Sequence, residues 1–298
     1  MKPHWTATAQ ALFVVFLWAT SWVFVKIGLH DIPPITFAGL RYFLAFLCLL
    51  AVLFFNDAKR EIQTLTPRTW LQLILLGILF YAGTQGAIFV ALAYLPAVTV
   101  NLLWSFSSVI IALFGALWLA ERPTWFQWSG ISLAVLGAVA YFYPVIITKN
   151  QSIGVVVAWV GILANAISSI MGRDINRSEK HSPLVITVIS MGVGSLVLLS
   201  TGILFEKVPI ITLRSGLIIL WLAVVNTAFA FTLWNHTLRT LTAMESSIIN
   251  GTMLIWIAIF AVTLLGEDMT GKEIIGLVIT GIGTLIVQLR NLPKAKAT

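Results

Sequence analysis

A single cysteine, Cys48, stands among 298 residues, which excludes an intrachain disulfide and any CxxC pair for redox or metal chemistry. Charge is nearly as scarce. Only 10% of the residues are Asp, Glu, Lys or Arg, against about 25% in an ordinary soluble domain. With 59% of the residues hydrophobic, too little polar side chain remains to cover a water-soluble surface. These deficits exclude a soluble enzyme, a secreted disulfide scaffold and a disordered chain. The phosphate-cradling G-x-x-x-x-G-K-S/T loop is missing, so direct ATP hydrolysis has no site. There is no HExxH and no GxSxG, and no two carboxylates evidently face one cavity, which argues against an intramembrane enzyme. The charged rings or filter sequence of an ion channel are also lacking. His4, His30 and His181 fall in tails or loops without metal-ligand spacing. No metal or cofactor is expected.

What the chain has instead is long apolar runs. A membrane helix needs about 20 mainly apolar residues, and ten segments qualify: 8–28, 35–55, 70–93, 97–119, 125–147, 153–172, 183–205, 215–237, 243–265 and 272–290. The polar stretches between them are short, the longest being 56–68 and 173–182, and none could form a soluble domain. The first run ends at Lys26 without a small-residue cleavage site, so a cleaved signal peptide is not expected. The formal charge of +7 sits in these loops and builds no basic face for nucleic acid. It reads as membrane orientation. Lys2, Lys59, Arg60, Arg68, Arg122, Arg173, Arg177, Lys180, Arg239, Arg290, Lys294 and Lys296 share one side, whereas Lys26, Lys149, Lys207, Arg214 and Lys272 share the other. Both termini are therefore expected in the cytoplasm of a multi-pass inner-membrane protein.

The two halves resemble each other. Residues 97–138 align with 243–284 at a constant offset of 146, which places Glu121 on Glu267, Gly130 on Gly276 and Gly137 on Gly283. Each half, 1–148 and 149–298, then holds five spans. Five is odd, so the second copy enters the membrane from the opposite side, and inverted repeats of this kind characterise secondary transporters. Gly130, Ala134 and Ala138, like Gly276, Thr280 and Thr284, recur every four residues, a spacing that lets helices approach closely.

Several segments carry a family resemblance: Leu17-Trp18-Ala19-Thr20-Ser21-Trp22 followed by Lys26, Pro33-Pro34, Arg41, Leu119-Ala120-Glu121-Arg122-Pro123 and Leu265-Gly266-Glu267. In these the sequence resembles an EamA-type permease of the drug/metabolite transporter superfamily. The resemblance implies an all-α integral membrane protein of ten transmembrane helices, arranged as two inverted five-helix repeats around a central cavity lined mainly by spans 1, 3, 4, 6, 8 and 9. It implies alternating access, often for export of amino acids or related metabolites, and some relatives export aromatic amino acids. One departure is visible. Where relatives often carry proline midway along spans 4 and 9, this chain reads Phe106-Ser107-Ser108-Val109 and Thr252-Met253-Leu254-Ile255, which removes the usual cause of a kink.

Polar groups inside spans need partners or water. Gln85, Asn101, Asn165 and Asn250 either bond between helices or line the cavity. Of the deeper tryptophans, Trp18, Trp104 and Trp234 either pack against protein or lipid or stack on a substrate. Glu245, at the start of span 9, is a candidate to carry a coupling proton, the alternative being a carboxylate that reaches surface water or Arg239. Arg41 suits a structural or gating role, or attraction of an anionic substrate. Lys26 reaches the interface or closes an outer gate. The function expected is secondary-active or facilitative transport of small metabolites by a monomer or homodimer in the bilayer. Channel, membrane sensor and intramembrane enzyme stand as alternatives.

Overall fold

In a computed structural model of the chain, the backbone is described for residues 2–55, 57–118, 124–143, 148–177, 181–237, 240–241 and 243–288. Among these residues the structure is helical, with no strand. Span 1 is Lys2–Gly28 and span 2 is Pro34–Phe54, followed by a 3-10 stretch Asp57–Thr64. Span 3 joins Pro67–Leu76, a π-helical Gly77–Gln85 and Gly86–Tyr94. Span 4 is Ala97–Ser105 and Ser107–Trp118, and span 5 is Trp125–Phe142. Span 6 is Lys149–Arg177 and span 7 is Pro183–Phe205. Span 8 joins Leu213–Ala223, a π-helical Val224–Phe229 and Ala230–Thr237. Span 9 is Ala243–Gly251 and Met253–Leu265, and span 10 is Gly271–Gln288. Among the described residues, eight of the ten are long and apolar enough to cross a membrane as they stand, and Ala97–Ile111 is a shorter apolar helix in span 4. The chain is a multi-pass helical membrane protein.

Span starts follow from local chemistry. The first N–H groups of a helix lack internal partners. Pro34, Pro67 and Pro183 occupy first-turn positions, where a missing N–H costs nothing. Thr124 and Gln127 form a reciprocal capping box on span 5, as Thr212 and Ser215 do on span 8. On span 10 the Glu273 carboxylate accepts from the Thr270 amide at 2.7 Å, and the Glu273 amide donates to Thr270 Oγ1 at 3.3 Å.

By contacts the chain divides into two compact units. One takes its residues from 1–23, 96–149 and 230–298, the other from 24–95 and 150–229. Each mixes both sequence repeats. In the first unit, spans 5 and 10 pack antiparallel through the glycines that the repeat alignment picked out, with equivalent positions exchanged. Gly130 faces Gly283, and Gly137 faces Gly276. A Cβ on Gly276 would stand 2.6 Å from the Tyr141 amide nitrogen and 2.7 Å from the Gly137 carbonyl oxygen, so no larger residue fits. This exchange is what a local two-fold between inverted copies produces. The second unit repeats the pattern with spans 2 and 7, where Thr36 meets Gly202, Gly39 meets Leu199 and Phe46 meets Gly192. Its fully buried side chains include Phe37, Phe89, Leu92, Ile162 and Met191, and the Phe37 and Phe89 rings meet edge to face at 5.2 Å. Elsewhere the spans expose long apolar faces, such as Leu136, Val139, Val156, Val160, Leu204 and Phe205, as helices in lipid do.

Candidate functional site

Among the described residues four spans are irregular, and the irregularities match between the repeats. The π-helical segments begin at Gly77 in span 3 and Val224 in span 8, 147 residues apart. Spans 4 and 9 break at Phe106 and Thr252, 146 residues apart. The breaks occur without the proline that the family pattern supplies, and hydroxyl groups bond to the backbone at both. The Phe106 amide bonds to Leu103 O, one residue short of the regular helical acceptor, at 3.0 Å. Ser105 Oγ then donates to Leu102 O at 2.6 Å, and Ser108 Oγ to Ser105 O at 3.0 Å. In span 9 the Thr252 amide and Oγ1 both donate to Ile249 O, at 3.1 and 2.6 Å. The π segments use the same device, with Thr84 Oγ1 on Leu79 O at 3.0 Å and Thr227 Oγ1 on Leu222 O at 2.8 Å, each five residues back. Serine and threonine bend helices in this way, and in a bilayer they satisfy backbone groups that would otherwise be stranded. Paired discontinuities in the two halves of a transporter point to its binding region, and π segments often mark functional positions.

In the second unit the π segment of span 8 is tied to span 2. Arg41 is 6% exposed and its Nε donates to Thr227 Oγ1 at 3.1 Å. Its guanidinium lies 5.1 Å from the Tyr42 ring centroid and 5.9 Å from that of Phe89, where ring quadrupoles favour a cation. Tyr42 OH donates to Gln85 Oε1 at 2.8 Å, and its ring meets Tyr81 at 5.4 Å. The structure thus gathers Arg41 and Gln85, both expected from sequence, around Tyr42, Tyr81 and Thr227, which sequence reasoning passed over. Lys26 Nζ donates to Leu92 O and Leu95 O, both at 2.6 Å, so the ammonium caps the C-terminal end of span 3. Asn165 is half-buried in span 6.

In the first unit the tryptophans from spans 1 and 8 meet. Trp18 lies 5.2 Å from both Phe231 and Trp234. With Met253 and Trp256 it covers a core of Ala7, Ala11, Val15, Leu241 and Ile249. Phe16 packs edge to face on Trp256 and Phe260. Asn101 is buried and its Nδ2 donates to Leu254 O at 3.3 Å, which joins span 4 to span 9 beside its break. Trp104 is half-buried and Asn250 exposed. The side chain of Glu245, and Glu121 altogether, lie outside the described residues.

Sequence reasoning used Glu267 as a marker of the repeat but did not anticipate that carboxylates cap helix starts, and it passed over Glu206 and Glu61. Glu206 follows span 7 and accepts from the Ile35 amide at 3.0 Å and from the Thr36 amide and hydroxyl, each at 2.7 Å, at the start of span 2. Glu267 follows span 9 and accepts from the Ala97 and Val98 amides at 2.7 and 3.2 Å, at the start of span 4. Glu61 accepts from the Ser182 amide at 2.7 Å, ahead of span 7. Each places a negative charge on the positive end of a helix dipole and joins one repeat to the other within a unit. Among the described residues no group of three or more His, Cys, Asp or Glu is gathered as metal ligands would be.

Comparison with known proteins gives consistent results. The sequence pattern of the EamA-like transporter family matches twice, over residues 5–143 and 148–289. A probable amino-acid metabolite efflux pump of Escherichia coli is 26% identical over 94% of this chain and 94% of its own. A protein of the same description from Salmonella typhimurium is 26% identical over 93% of this chain and 92% of its own. An uncharacterized transporter of Bacillus subtilis is 23% identical over 78% of this chain and 80% of its own. One solved crystal structure superposes with a TM-score of 0.68 at 16% identity, covering 96% of this chain and 99% of that one, which speaks to the fold.

Proposed function

The chain belongs to the EamA-like transporter family, and from that premise we propose that it exports amino acids or related small metabolites by alternating access, as a secondary-active or facilitative carrier. The observation that carries this reading is the matched pair of discontinuities, π segments in spans 3 and 8 and breaks in spans 4 and 9. The relatives described as probable amino-acid metabolite efflux pumps support the substrate class. The candidate substrate contacts are Trp18, Asn101, Trp104, Trp234 and Asn250 within the first unit and, taken separately, Gln85 and Asn165 within the second. Arg41 and Lys26 hold helix geometry that gating depends on, and Glu245 is the candidate proton carrier for the secondary-active case. The protein works as a monomer or homodimer in the cell's inner membrane, with both termini cytoplasmic and without catalytic chemistry of its own.

The test is release from proteoliposomes loaded with a mixed pool of amino acids, nucleosides and amines, read by mass spectrometry. Selective loss of some compounds relative to protein-free liposomes supports the reading. No selective loss, with and without a proton gradient, overturns it, and ionic current through a planar bilayer would favour a channel instead.

A further inference from the structure

The indole nitrogen of Trp18 is buried and has no hydrogen-bond partner among the described residues. A buried donor left unpaired is costly and calls for an explanation. Among the described residues, the side chains packed on its ring are apolar or aromatic. The ring lies against Phe231 and Trp234 and over a core of alanine, valine, leucine and isoleucine side chains, beside Met253 and Trp256. Met253 directly follows the break at Thr252. Irregular backbone at membrane depth is tolerated where it is buried in protein or lines a water-filled cavity. The nitrogen is sealed by its neighbours in this conformation, so a ligand reaches it only when the helices part, and an aromatic lining with few placed polar groups is the pattern of a ligand site.

We propose that Trp18 determines specificity: its indole N–H binds a carboxylate or carbonyl oxygen of the transported molecule, while Phe231, Trp234 and Trp256 receive an apolar part. This rests on the transporter reading and deepens it by naming the substrate class, a small molecule with an oxygen acceptor beside an apolar body. An indole N–H donates and cannot accept, so an ammonium in the same place gains nothing from it. A hydrogen bond to a charged acceptor, once lost, lowers affinity about tenfold or more.

The direct test labels the indole nitrogens of the full chain in nanodiscs and follows the Trp18 indole proton by NMR, identified by its disappearance in Trp18→Phe. One probe pool holds L-leucine, L-methionine and L-phenylalanine, and the other holds the amines that remain when their carboxylates are removed. The expected result is a downfield shift of the Trp18 proton with the amino acids and none with the amines. A proton already hydrogen-bonded before addition and unmoved by either pool, or moved equally by both, overturns the proposal. In proteoliposomes, replacing Trp18 by β-(3-benzothienyl)alanine keeps the ring outline and removes the N–H. Amino-acid efflux is then expected to fall about tenfold relative to amine efflux, and an unchanged ratio overturns the proposal. Absence of efflux by the unaltered protein defeats the transporter reading, whereas an unmoved Trp18 proton in a protein that transports the amino acids defeats this inference alone.

Discussion

Replacing Glu267 tests whether carboxylates fasten the helix ends. Gly266 ends span 9 in the left-handed region at φ +66, a conformation that glycine adopts without the Cβ penalty. The Glu267 amide then bonds back to Ala261 O at 3.0 Å, which closes the helix end and turns the Glu267 side chain toward span 4. There its carboxylate accepts from the Ala97 and Val98 amides at 2.7 and 3.2 Å. Both of these residues are at most 1% exposed, so water cannot replace the lost acceptor without rearrangement. A hydrogen bond to a charged group contributes about 1.5–3 kcal/mol. The second bond here is long, so Glu267→Ala is expected to cost about 2–4 kcal/mol. At about 2–4 °C per kcal/mol, the unfolding midpoint in detergent falls by several degrees or more. Glu267→Gln keeps one carbonyl acceptor and loses the charge, so it should fall between Ala and the unaltered chain. The assay is thermal unfolding followed by the monodisperse fraction on size exclusion. A midpoint for Glu267→Ala within 1 °C of the unaltered protein would refute the reasoning.

Glu206→Ala removes three bonds at the start of span 2 and is expected to destabilise at least as much as Glu267→Ala. The two carboxylates share no partner, so the double variant should be additive within about 0.5 kcal/mol, checked in the same unfolding assay. Gly276→Ala puts a methyl group against the Span 5 backbone at Tyr141 and Gly137, and the expected outcome is loss of monodisperse protein. Gly271→Ala, where an added Cβ meets nothing, should leave the yield unchanged. Thr227→Val removes the hydroxyl that both closes the π segment and accepts from Arg41, so efflux from proteoliposomes should fall at least tenfold while the protein remains folded. Thr252→Val removes one of the two bonds at the span 9 break and should lower the rate of efflux more than it lowers affinity for the compound.

Much of the architecture is legible in the sequence because a bilayer imposes a single demand, about 20 apolar residues per crossing. Span 7 begins and ends where the apolar run does, at 183 and 205, and span 9 begins and ends at 243 and 265. Span 1 extends back to Lys2, since its polar first turns can leave the apolar layer and still form helical hydrogen bonds. The glycine registers of spans 5 and 10 are equally readable, because close approach leaves room for nothing larger. The breaks in spans 4 and 9 were hidden, because proline is a visible signal and hydroxyls bonded to their own backbone are not. The polar cluster around Tyr42 was hidden for another reason. Tyr42, Gln85 and Thr227 lie far apart along the chain, and only tertiary packing joins them. The carboxylate caps had a usable trace, since Pro33-Pro34 and Pro96 mark helix starts with bare amides and each needs an acceptor from somewhere. That acceptor is 170 residues away for Thr36 and Glu206, beyond what local spacing can indicate.

The central claim is that the protein is a carrier whose substrate-bound form alternates its access, and counterflow tests it most directly. Proteoliposomes are preloaded with the unlabelled compound most selectively released in the efflux assay, diluted into a trace of labelled compound, and sampled over time. A carrier predicts a transient overshoot, in which labelled compound accumulates inside above its equilibrium level before declining. A smooth rise to equilibrium without overshoot, at a rate independent of preloading, would contradict the account and indicate a pore.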